Sequence, residues 1–410
     1  MTATTGGGGD TGRARVRTRQ PLRGAAAFRR DPLAFLTAEF EAAPGDVWRS
    51  RSGRLCVADP ATAREVLGNP HGAFEETSDF FRVRGGVFGP RSAQIEIGRT
   101  ARALTRRHLA ERRATLPALV DEAFARPGVW PEAGNRLVHA HLRDLLLCPE
   151  APERLHTLVD AIVARAVLAG ARRQHSALSR LAFRRETMRI LVAEIRARRA
   201  SVPDVPREPR DLLDVTLAGA GPVASSAALA EVYLSFLFAT VGATGFALAW
   251  SVLLAATHPE SDGAEPGWLV REALRLWPVA WLFARTPRTP LHGRDLGGVR
   301  VGAGDEVDVC TYLVHRHPGH WDRPDAFVPE RWARAVREPA YLPFGFGPHT
   351  CAGATVTMSL LEDLVGVLTR TQRLQVIPDG GRPLPGPALA PPRFTVVRTS
   401  GCRPGTPGRR

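Results

Sequence analysis

One cysteine lies in a sequence context that could do chemistry. Cys351 follows a glycine-rich stretch at 344–350 (FGFGPHT) and precedes an apolar helical run from Ala354 to Leu368. A thiol at a helix N-terminus meets unpaired backbone N–H groups and the positive end of the helix dipole, which favour the thiolate. Nearby glycines let the backbone pass close to a flat ligand. The pattern predicts a thiolate ligand for a flat prosthetic group; the plainer alternative is a buried cysteine at a loop-to-helix junction.

This stretch resembles the haem-binding loop of the cytochrome P450 superfamily, the haem-thiolate monooxygenases. The resemblance rests on Phe-Gly-x-Gly-x-His-x-Cys-x-Gly, which runs from Phe344 to Gly353. It implies that Cys351 is the proximal iron ligand of haem b, a metal ligand and cofactor-binding residue, and that Phe344, Gly345 and Gly353 lie against the cofactor. A thiolate ligand pushes electron density toward haem iron and favours O–O cleavage.

Two more segments share the resemblance. Glu272 and Arg275 stand at i and i+3 of a predicted helix, where opposite charges can pair, although such pairs are common on surfaces. Residues 327–332 (FVPERW) resemble the family segment that supplies a second arginine, here Arg331. The resemblance implies that these three charges form a buried ion network. That network would hold the chain ahead of the cysteine loop and retain haem rather than take part in the chemistry.

Haem carries two propionates, which need cationic or N–H partners in an apolar pocket. By resemblance, His349 is the first candidate, and Arg285, after the Glu272 helix, is the second. Arg102 is the third. The family usually has His or Trp one turn before that arginine, and this chain has Gly98 there.

The long central helix, predicted from Ser225 to Thr257, departs from the family pattern. Most members carry an acid–alcohol pair there, in which the acid relays protons to bound dioxygen. By resemblance the acid position falls on Gly242 and the alcohol position on Ala243, with Thr244 one residue later. The chain has no Asp or Glu between Glu231 and Glu260. The usual side-chain relay is therefore expected to be absent.

Three interpretations follow from this departure. Thr244 or Thr240 orders water in a shifted register, and protons arrive through solvent. Alternatively, the substrate supplies a hydroxyl or carboxyl group. In the third interpretation the enzyme uses peroxide, or directs oxidation toward coupling, ring closure or rearrangement.

Composition narrows the class of protein. The 410 residues are 44% hydrophobic and 23% charged, which describes a globular chain with a large core. The formal charge of +14 comes from arginine alone; without lysine, Schiff-base chemistry and a Walker-type phosphate loop are excluded. The arginines lack aromatic interleaving, so no nucleic-acid partner is expected. Five scattered cysteines match neither a disulfide framework nor a zinc site and suit a reducing cytoplasm.

The patterning predicts a mainly α fold with small β-sheet regions, the cytochrome P450 fold. One domain is expected over 21–400, between disordered tails at 1–20 and 401–410. Residues 72–98 are predicted to be an irregular loop over a pocket. Predicted helices cover most of 96–199. Further helices are predicted at 61–67, 211–218, 225–257, 268–277 and 354–368. Strands are predicted within 284–311, and a hairpin is predicted at 374–377 and 393–398. A family helix between Trp250 and Glu272 is expected to be missing.

The resemblance implies oxidation of a small organic molecule, by hydroxylation or by oxidative coupling, with electrons from a ferredoxin and its reductase. Composition suggests a bacterial natural-product pathway, and we expect a cytoplasmic monomer with no membrane segment. Alternatives are a peroxide-using or rearranging enzyme, a non-oxygenating haem protein, and a substrate borne by a carrier protein that docks between Arg154 and Arg199. Expected pocket residues are Phe80, Phe88, Phe238, Val279 and Trp281.

Overall fold

The computed structural model describes residues 19–75, 91–125, 127–168, 175–201, 208–219, 224–288, 295–302, 304–334, 338–370 and 373–399. Most of these residues are helical. The helices are α1 (Arg19–Arg30), α2 (Pro32–Ala42), α3 (Pro60–Gly68), α4 (Arg91–Arg112), α5 (Leu116–Ala123), α6 (Glu132–Leu146), α7 (Glu153–Ile162), α8 (Ala177–Ala200), α9 (Leu212–Ala218), α10 (Ser226–Leu237), α11 (Thr244–Thr257), α12 (Pro266–Leu276), α13 (Thr311–Val314) and α14 (Ala354–Arg370).

Short strands form three small sheets in the described chain. The strands are β1 (Val47–Arg49), β2 (Leu55–Val57), β3 (Gly128–Trp130), β4 (Phe283–Arg285), β5 (Asp295–Leu296), β6 (Val299–Arg300), β7 (Val307–Val309), β8 (Arg373–Pro378) and β9 (Phe394–Thr399). The first sheet has the order β1-β2-β7-β4, with β2 and β7 parallel; the others are β3-β9-β8 and the β5-β6 hairpin. The mainly α expectation with small sheets is confirmed.

The local sequence explains several helix starts. The Asp59 carboxylate accepts from the Thr62 backbone N–H at 2.6 Å, and Pro60 occupies the first turn of α3. Asp211 caps α9 in the same way, with its carboxylate 2.7 Å from the Asp214 backbone nitrogen.

The central helix is continuous but changes its register. Between α10 and α11 lies a π-helical segment, Phe238–Ala243, which we call the π segment. The whole helix, Ser226–Thr257, is the one candidate in the described chain with the length and apolarity to cross a membrane, and 72% of its most apolar stretch is buried within the protein. It packs against α6, α12 and α14, as a core helix does.

Some boundaries differ from the sequence predictions. Helix α4 begins at Arg91, so Gly98 lies inside a helix rather than at the end of a loop, and Arg19 and Gln20 belong to α1 rather than to a tail. Strands β1, β2 and β3 were not predicted. Between α11 and α12 the described chain has only a 3₁₀ turn, Pro259–Ser261, in keeping with the expected loss of a helix there.

Candidate active site

The cysteine loop is closed by its own backbone. The Cys351 backbone N–H donates to the Phe344 carbonyl at 2.9 Å, and the Gly345 N–H donates to the Leu342 carbonyl at 3.1 Å. Gly345 has a φ of +73°, and a Cβ there would lie 3.4 Å from the Phe283 ring. The left-handed backbone and the nearby ring both favour glycine at this position. The loop therefore presents position 351 in one fixed backbone conformation, directly before α14.

Gly347 lets the loop approach helix α3, whereas its spacing suggested an approach to a flat ligand. Its φ is +71°, and a Cβ there would lie 2.6 Å from the Gly68 Cα at the end of α3. The neighbouring Phe346 ring faces the Arg64 guanidinium of the same helix at 4.0 Å. Gly347 therefore lets the cysteine loop pack against α3. The group that lies close to Gly347 is the backbone of that helix.

The electrostatics of Cys351 correct the expectation of a free thiolate. Burial raises the pKa of the thiol above its ordinary value, and the backbone N–H groups of Gly353 and Ala354 act in the opposite direction without overcoming it. The residue nevertheless keeps exposed surface. The helix terminus therefore favours a thiolate but does not create one, and a metal ion would remove the proton outright.

Arg102, Arg285 and His349 come from three different elements. On α4, the Arg102 guanidinium donates to the Ala352 carbonyl at 3.2 Å, and a Cβ on Gly98 would lie 3.5 Å from the Ala352 Cβ. Arg285 ends β4, two residues after the phenylalanine that contacts Gly345; it is buried, and its guanidinium donates to the Ala284 carbonyl at 2.8 Å. Half-buried His349 lies within the loop itself.

These residues fit an iron porphyrin. The exposed thiol of Cys351 is of the kind that would ligate haem iron, and two arginines and a histidine around the same loop are suitable partners for propionates. Gly98 lets α4 approach the loop closely, since a Cβ there would lie 3.3 Å from the Arg102 Nη1 and 3.5 Å from the Ala352 Cβ. Cys351 is therefore the residue that would hold the iron, and Arg102, Arg285 and His349 are the candidates that would bind the propionates.

Glu272, Arg275 and Arg331 meet in the core. The fully buried Glu272 carboxylate accepts from Arg275 at 2.8 and 3.0 Å and from Arg331 at 3.0 Å. Two donors that sequence reasoning did not assign complete the shell: the Trp332 indole N–H at 2.8 Å and the Val328 backbone N–H at 3.0 Å. The five donated hydrogen bonds explain how a carboxylate is tolerated in this position.

A buried histidine links this network to the cysteine loop. The His315 Nε2 accepts from the Leu342 backbone N–H at 2.7 Å, so its Nδ1 carries the proton and donates to the Arg275 carbonyl at 3.1 Å. Burial, then the nearby Arg275 charge, lowers the pKa of His315 to about 3. The neutral ring therefore ties the end of α12 to the residues just before Phe344. Among the described residues no His, Cys, Asp or Glu cluster forms a metal site.

The π segment carries the residues expected above the cofactor. Gly242 and Thr244 are buried, whereas Thr240 and Ala243 are half-buried. A Cβ on Gly242 would lie 3.3 Å from a Val167 methyl and 3.4 Å from the Phe238 ring. Val167 belongs to a second π-helical stretch, Val163–Val167, that follows α7. Residues Val167 and Asn135, which contact this segment, were missed from the sequence because their contacts join distant helices.

The expected pocket residues have mixed outcomes. Phe238 lies at the start of the π segment. Val279 and Trp281 are buried beside the 384–390 segment: the Val279 carbonyl accepts from Leu389 at 2.9 Å and the Trp281 indole donates to the Gly386 carbonyl at 2.8 Å. Phe80 and Phe88 lie outside the described residues.

Comparisons with known proteins agree with this site. The family model described as Cytochrome P450 matches residues 267–393, which include Glu272, Arg331 and Cys351. Cyclooctat-9-en-7-ol 5-monooxygenase of Streptomyces melanosporofaciens is 27% identical over 88% of this chain and 87% of its own length. Cyclooctatin synthase of the same organism is 32% identical over 42% of this chain.

The coverage of the relatives is uneven. The aligned chain covers 41% of the length of cyclooctatin synthase and 33% of mouse cytochrome P450 3A13. Among solved structures, a mutant of P450 EryK in complex with erythromycin B has a TM-score of 0.66 at 22% identity, covering 93% of this chain and 99% of that one. HmtN, a hydroxylase involved in himastatin biosynthesis, has a TM-score of 0.68 at 18% identity, covering 87% and 94%. These structures share the fold of this chain.

Proposed function

This chain is a member of the cytochrome P450 superfamily, and from that premise we propose that it is a haem-thiolate monooxygenase that oxidises a small organic molecule. The observation that carries the proposal is the Cys351 loop, which presents one exposed thiol ahead of α14 with three candidate propionate partners around it. Bound haem supplies oxidation of unactivated C–H bonds by activated dioxygen.

The chain's own residues then have separate tasks. Cys351 ligates the iron, while Arg102, Arg285 and His349 orient the cofactor through its propionates. Glu272, Arg275 and Arg331 keep the loop in place. Val167 and Phe238 pack closely against Gly242 at the π segment.

Proton delivery is proposed to run through ordered water rather than a carboxylate. Residues 232–259 contain no acidic side chain. Among the described residues, no hydrogen-bond partner is found for the Thr244 hydroxyl, in contrast to Ser251 on the same helix, which donates to the Ala247 carbonyl. The Thr244 hydroxyl is therefore available to bind water, with Thr240 as the second candidate.

We also propose a class of substrate and a source of electrons for this enzyme. Relatives named for cyclooctatin and himastatin biosynthesis support a role in bacterial natural-product oxidation, by hydroxylation or by coupling. Exposed Arg106, one helical turn after Arg102 on α4, suits an acidic ferredoxin, whereas Arg107 is already paired with Glu208 at 2.9 Å. Docking of a substrate-bearing carrier protein on the basic helices between Arg154 and Arg199 remains part of this proposal.

The deciding experiment is spectroscopic. Purified protein is loaded with hemin and reduced under carbon monoxide, and Cys351→Ser and Cys148→Ser are compared. The thiolate Soret band is expected in wild type and in Cys148→Ser, whose cysteine is buried at the α6–α7 corner. The band should be lost in Cys351→Ser. An imidazole-type spectrum in wild type would refute the proposal.

A second candidate is favoured by the missing acid in the central helix. The protein would then bind haem in the same site but use peroxide, catalyse a rearrangement, or not oxygenate at all. Candidate metabolites that shift the Soret band are incubated with ferredoxin, its reductase and NADPH, or with hydrogen peroxide alone. Turnover only with peroxide, or with neither, would support the second candidate.

A further inference from the structure

Asn135 reaches from one helix into the backbone of another. It lies on α6, is fully buried, and its side-chain Nδ2 donates to the Val241 carbonyl at 2.9 Å and to the Gly242 carbonyl at 3.1 Å. Both neighbours are acceptors, which fixes the orientation of the amide. The Asn135 Oδ1 on the other side is buried and has no hydrogen-bond partner in the described chain.

The two carbonyls lie where the helix returns from π to α register. At such a change the i→i+5 and i→i+4 patterns do not match, so carbonyls are left without a regular backbone donor. A buried carbonyl without a partner costs free energy. Asn135 supplies two donors from outside the helix, one to the Gly242 carbonyl and one to the Val241 carbonyl, which also accepts from the Thr244 backbone N–H.

The space for Asn135 is built into the facing helix. A Cβ on Gly245 would lie 2.1 Å from the Asn135 Nδ2 and 2.8 Å from its Cα, so no larger residue fits at 245 while Asn135 is present. On α6, a Cβ on Gly134 would lie 3.2 Å from the Gly245 carbonyl oxygen. The two helices therefore approach most closely where the amide enters.

Two serine hydroxyls of the same central helix donate to backbone carbonyls of their own helix. Ser235 and Ser251 donate to the carbonyl four residues earlier, at 3.0 and 2.8 Å. Thr244 does not act in this way among the described residues. The donors from Asn135 leave the Thr244 hydroxyl free for other partners.

We propose that Asn135 is a positioning residue that holds the π segment in its register, and so sets where Gly242 and Thr244 stand on the substrate side. The inference deepens the proposed monooxygenase function and rests on it only for the consequence at the haem. Asn135 touches neither substrate nor cofactor in this proposal; it acts through the backbone of residues 241 and 242.

The test compares three variants. Asn135→Ala removes both donors. Asn135→Leu keeps a side chain branched at Cγ but has no donor, so it separates the hydrogen bonds from packing. Ser251→Ala is the matched control, because it deletes a buried side-chain-to-carbonyl bond in the same helix outside the π segment.

Two readouts are taken on the haem-loaded ferric protein. Hydrogen–deuterium exchange of the 238–246 peptide should rise by about tenfold to a hundredfold in Asn135→Ala, since two hydrogen bonds are lost. The ferric spin-state ratio, read from the Soret band, should shift in the same variant. Asn135→Leu should change both in the same direction, and Ser251→Ala should change neither. Wild-type values in Asn135→Leu would mean that packing, not hydrogen bonding, holds the π segment. If Asn135→Ala does not fold, Asn135→Ser takes its place in the series.

The outcomes separate the two proposals. Unchanged exchange at 238–246 with an unchanged spin-state ratio in the Asn135 variant would overturn the positioning role. Loss of stability alone, of the kind expected for Ser251→Ala, would do the same. Exchange needs neither turnover nor substrate, so it reports on Asn135 even if the carbon monoxide spectrum contradicts a thiolate ligand.

Discussion

Glu272 shows how a single buried charge can organise a site. Its carboxylate is fully buried and receives hydrogen bonds from two arginines, an indole and a backbone N–H. Breaking a buried pair strands the remaining charge, at a cost of about 3–5 kcal/mol. The network therefore stabilises the chain ahead of the cysteine loop only while all its members are present.

The Trp332 donor offers a graded test of that network. Trp332→Phe removes the indole N–H that lies 2.8 Å from a charged carboxylate oxygen, and should lower the free energy of unfolding by about 1.5–3 kcal/mol. Trp281→Phe is the matched control, because its indole donates over the same 2.8 Å to a neutral carbonyl of Gly386. Its cost should be about 0.5–1.5 kcal/mol. Equal costs in chemical denaturation would contradict a charge-assisted bond at Trp332.

Thr244 is expected to affect the use of electrons more than haem binding. Thr244→Ala should lower the product formed per NADPH consumed by about tenfold, less than the effect of a direct acid, because solvent still delivers protons. Thr244→Ser should retain most of the yield, and Thr240→Ala tests the second candidate. Thr257→Ala is the control, since its hydroxyl donates to the Leu253 carbonyl at the far end of the helix. Unchanged coupling would remove Thr244 from proton delivery.

The sequence predicted the candidate site best where its residues are close together in the chain. Cys351 and its loop lie within ten residues, and loop closure from Phe344 to Cys351 is local. The thiol pKa could not be predicted in this way, because burial by distant segments outweighs the nearby N–H groups. Asn135 was also missed, since its partners at 241 and 242 belong to another helix.

At the scale of elements, local rules predicted helices better than strands. Asp59 and Asp211 cap α3 and α9 through contacts three residues away. Strands β1, β2 and β3 have three residues each, too few for an alternating pattern to be recognised. Their stability comes from distant partners, as when β3 pairs with β9.

The packing of the cysteine loop against α3 can be tested by replacing Gly347 with alanine. Gly347→Ala combines a left-handed φ of +71° with a contact of 2.6 Å to the Gly68 Cα, so it should weaken both stability and haem retention. Gly380→Ala has a similar φ of +68° but open space around the Cβ. Gly380→Ala should lower the free energy of unfolding only by the cost of a left-handed backbone at a non-glycine residue, about 1–2 kcal/mol. Equal melting temperatures and haem occupancy in the two variants would show that the α3 contact is unimportant.

At the scale of the whole molecule, buried neutral histidines should make the fold sensitive to acid. Burial, followed by nearby positive charge, lowers the pKa of His315 to about 3; burial, then His108 and Arg112, lowers that of His141 to about 4. Both folded-state values lie below the ordinary 6.5, so the unfolded chain takes up these protons first. Stability is therefore complete above the ordinary value and declines as the pH falls toward the folded-state values.

The measurement is a series of denaturation curves between neutral and acidic pH. His315→Gln, which keeps a donor and an acceptor, should flatten the decline, whereas His71→Gln changes an exposed side chain and should leave the slope unaltered. A slope that is the same in His315→Gln and in the unmodified protein would rule out His315 as a source of acid sensitivity.

The close crossing of α6 and α11 also has a consequence for how such a protein can diverge. Because the amide at 135 fills the volume a Cβ at 245 would need, the two positions are not free to vary one at a time. A side chain at 245 requires both a shorter residue at 135 and a wider spacing of the two helices, because its Cβ would also lie 2.8 Å from the Cα at 135. Covariation between two sites remote in sequence is thus an evolutionary signature of this one helix contact.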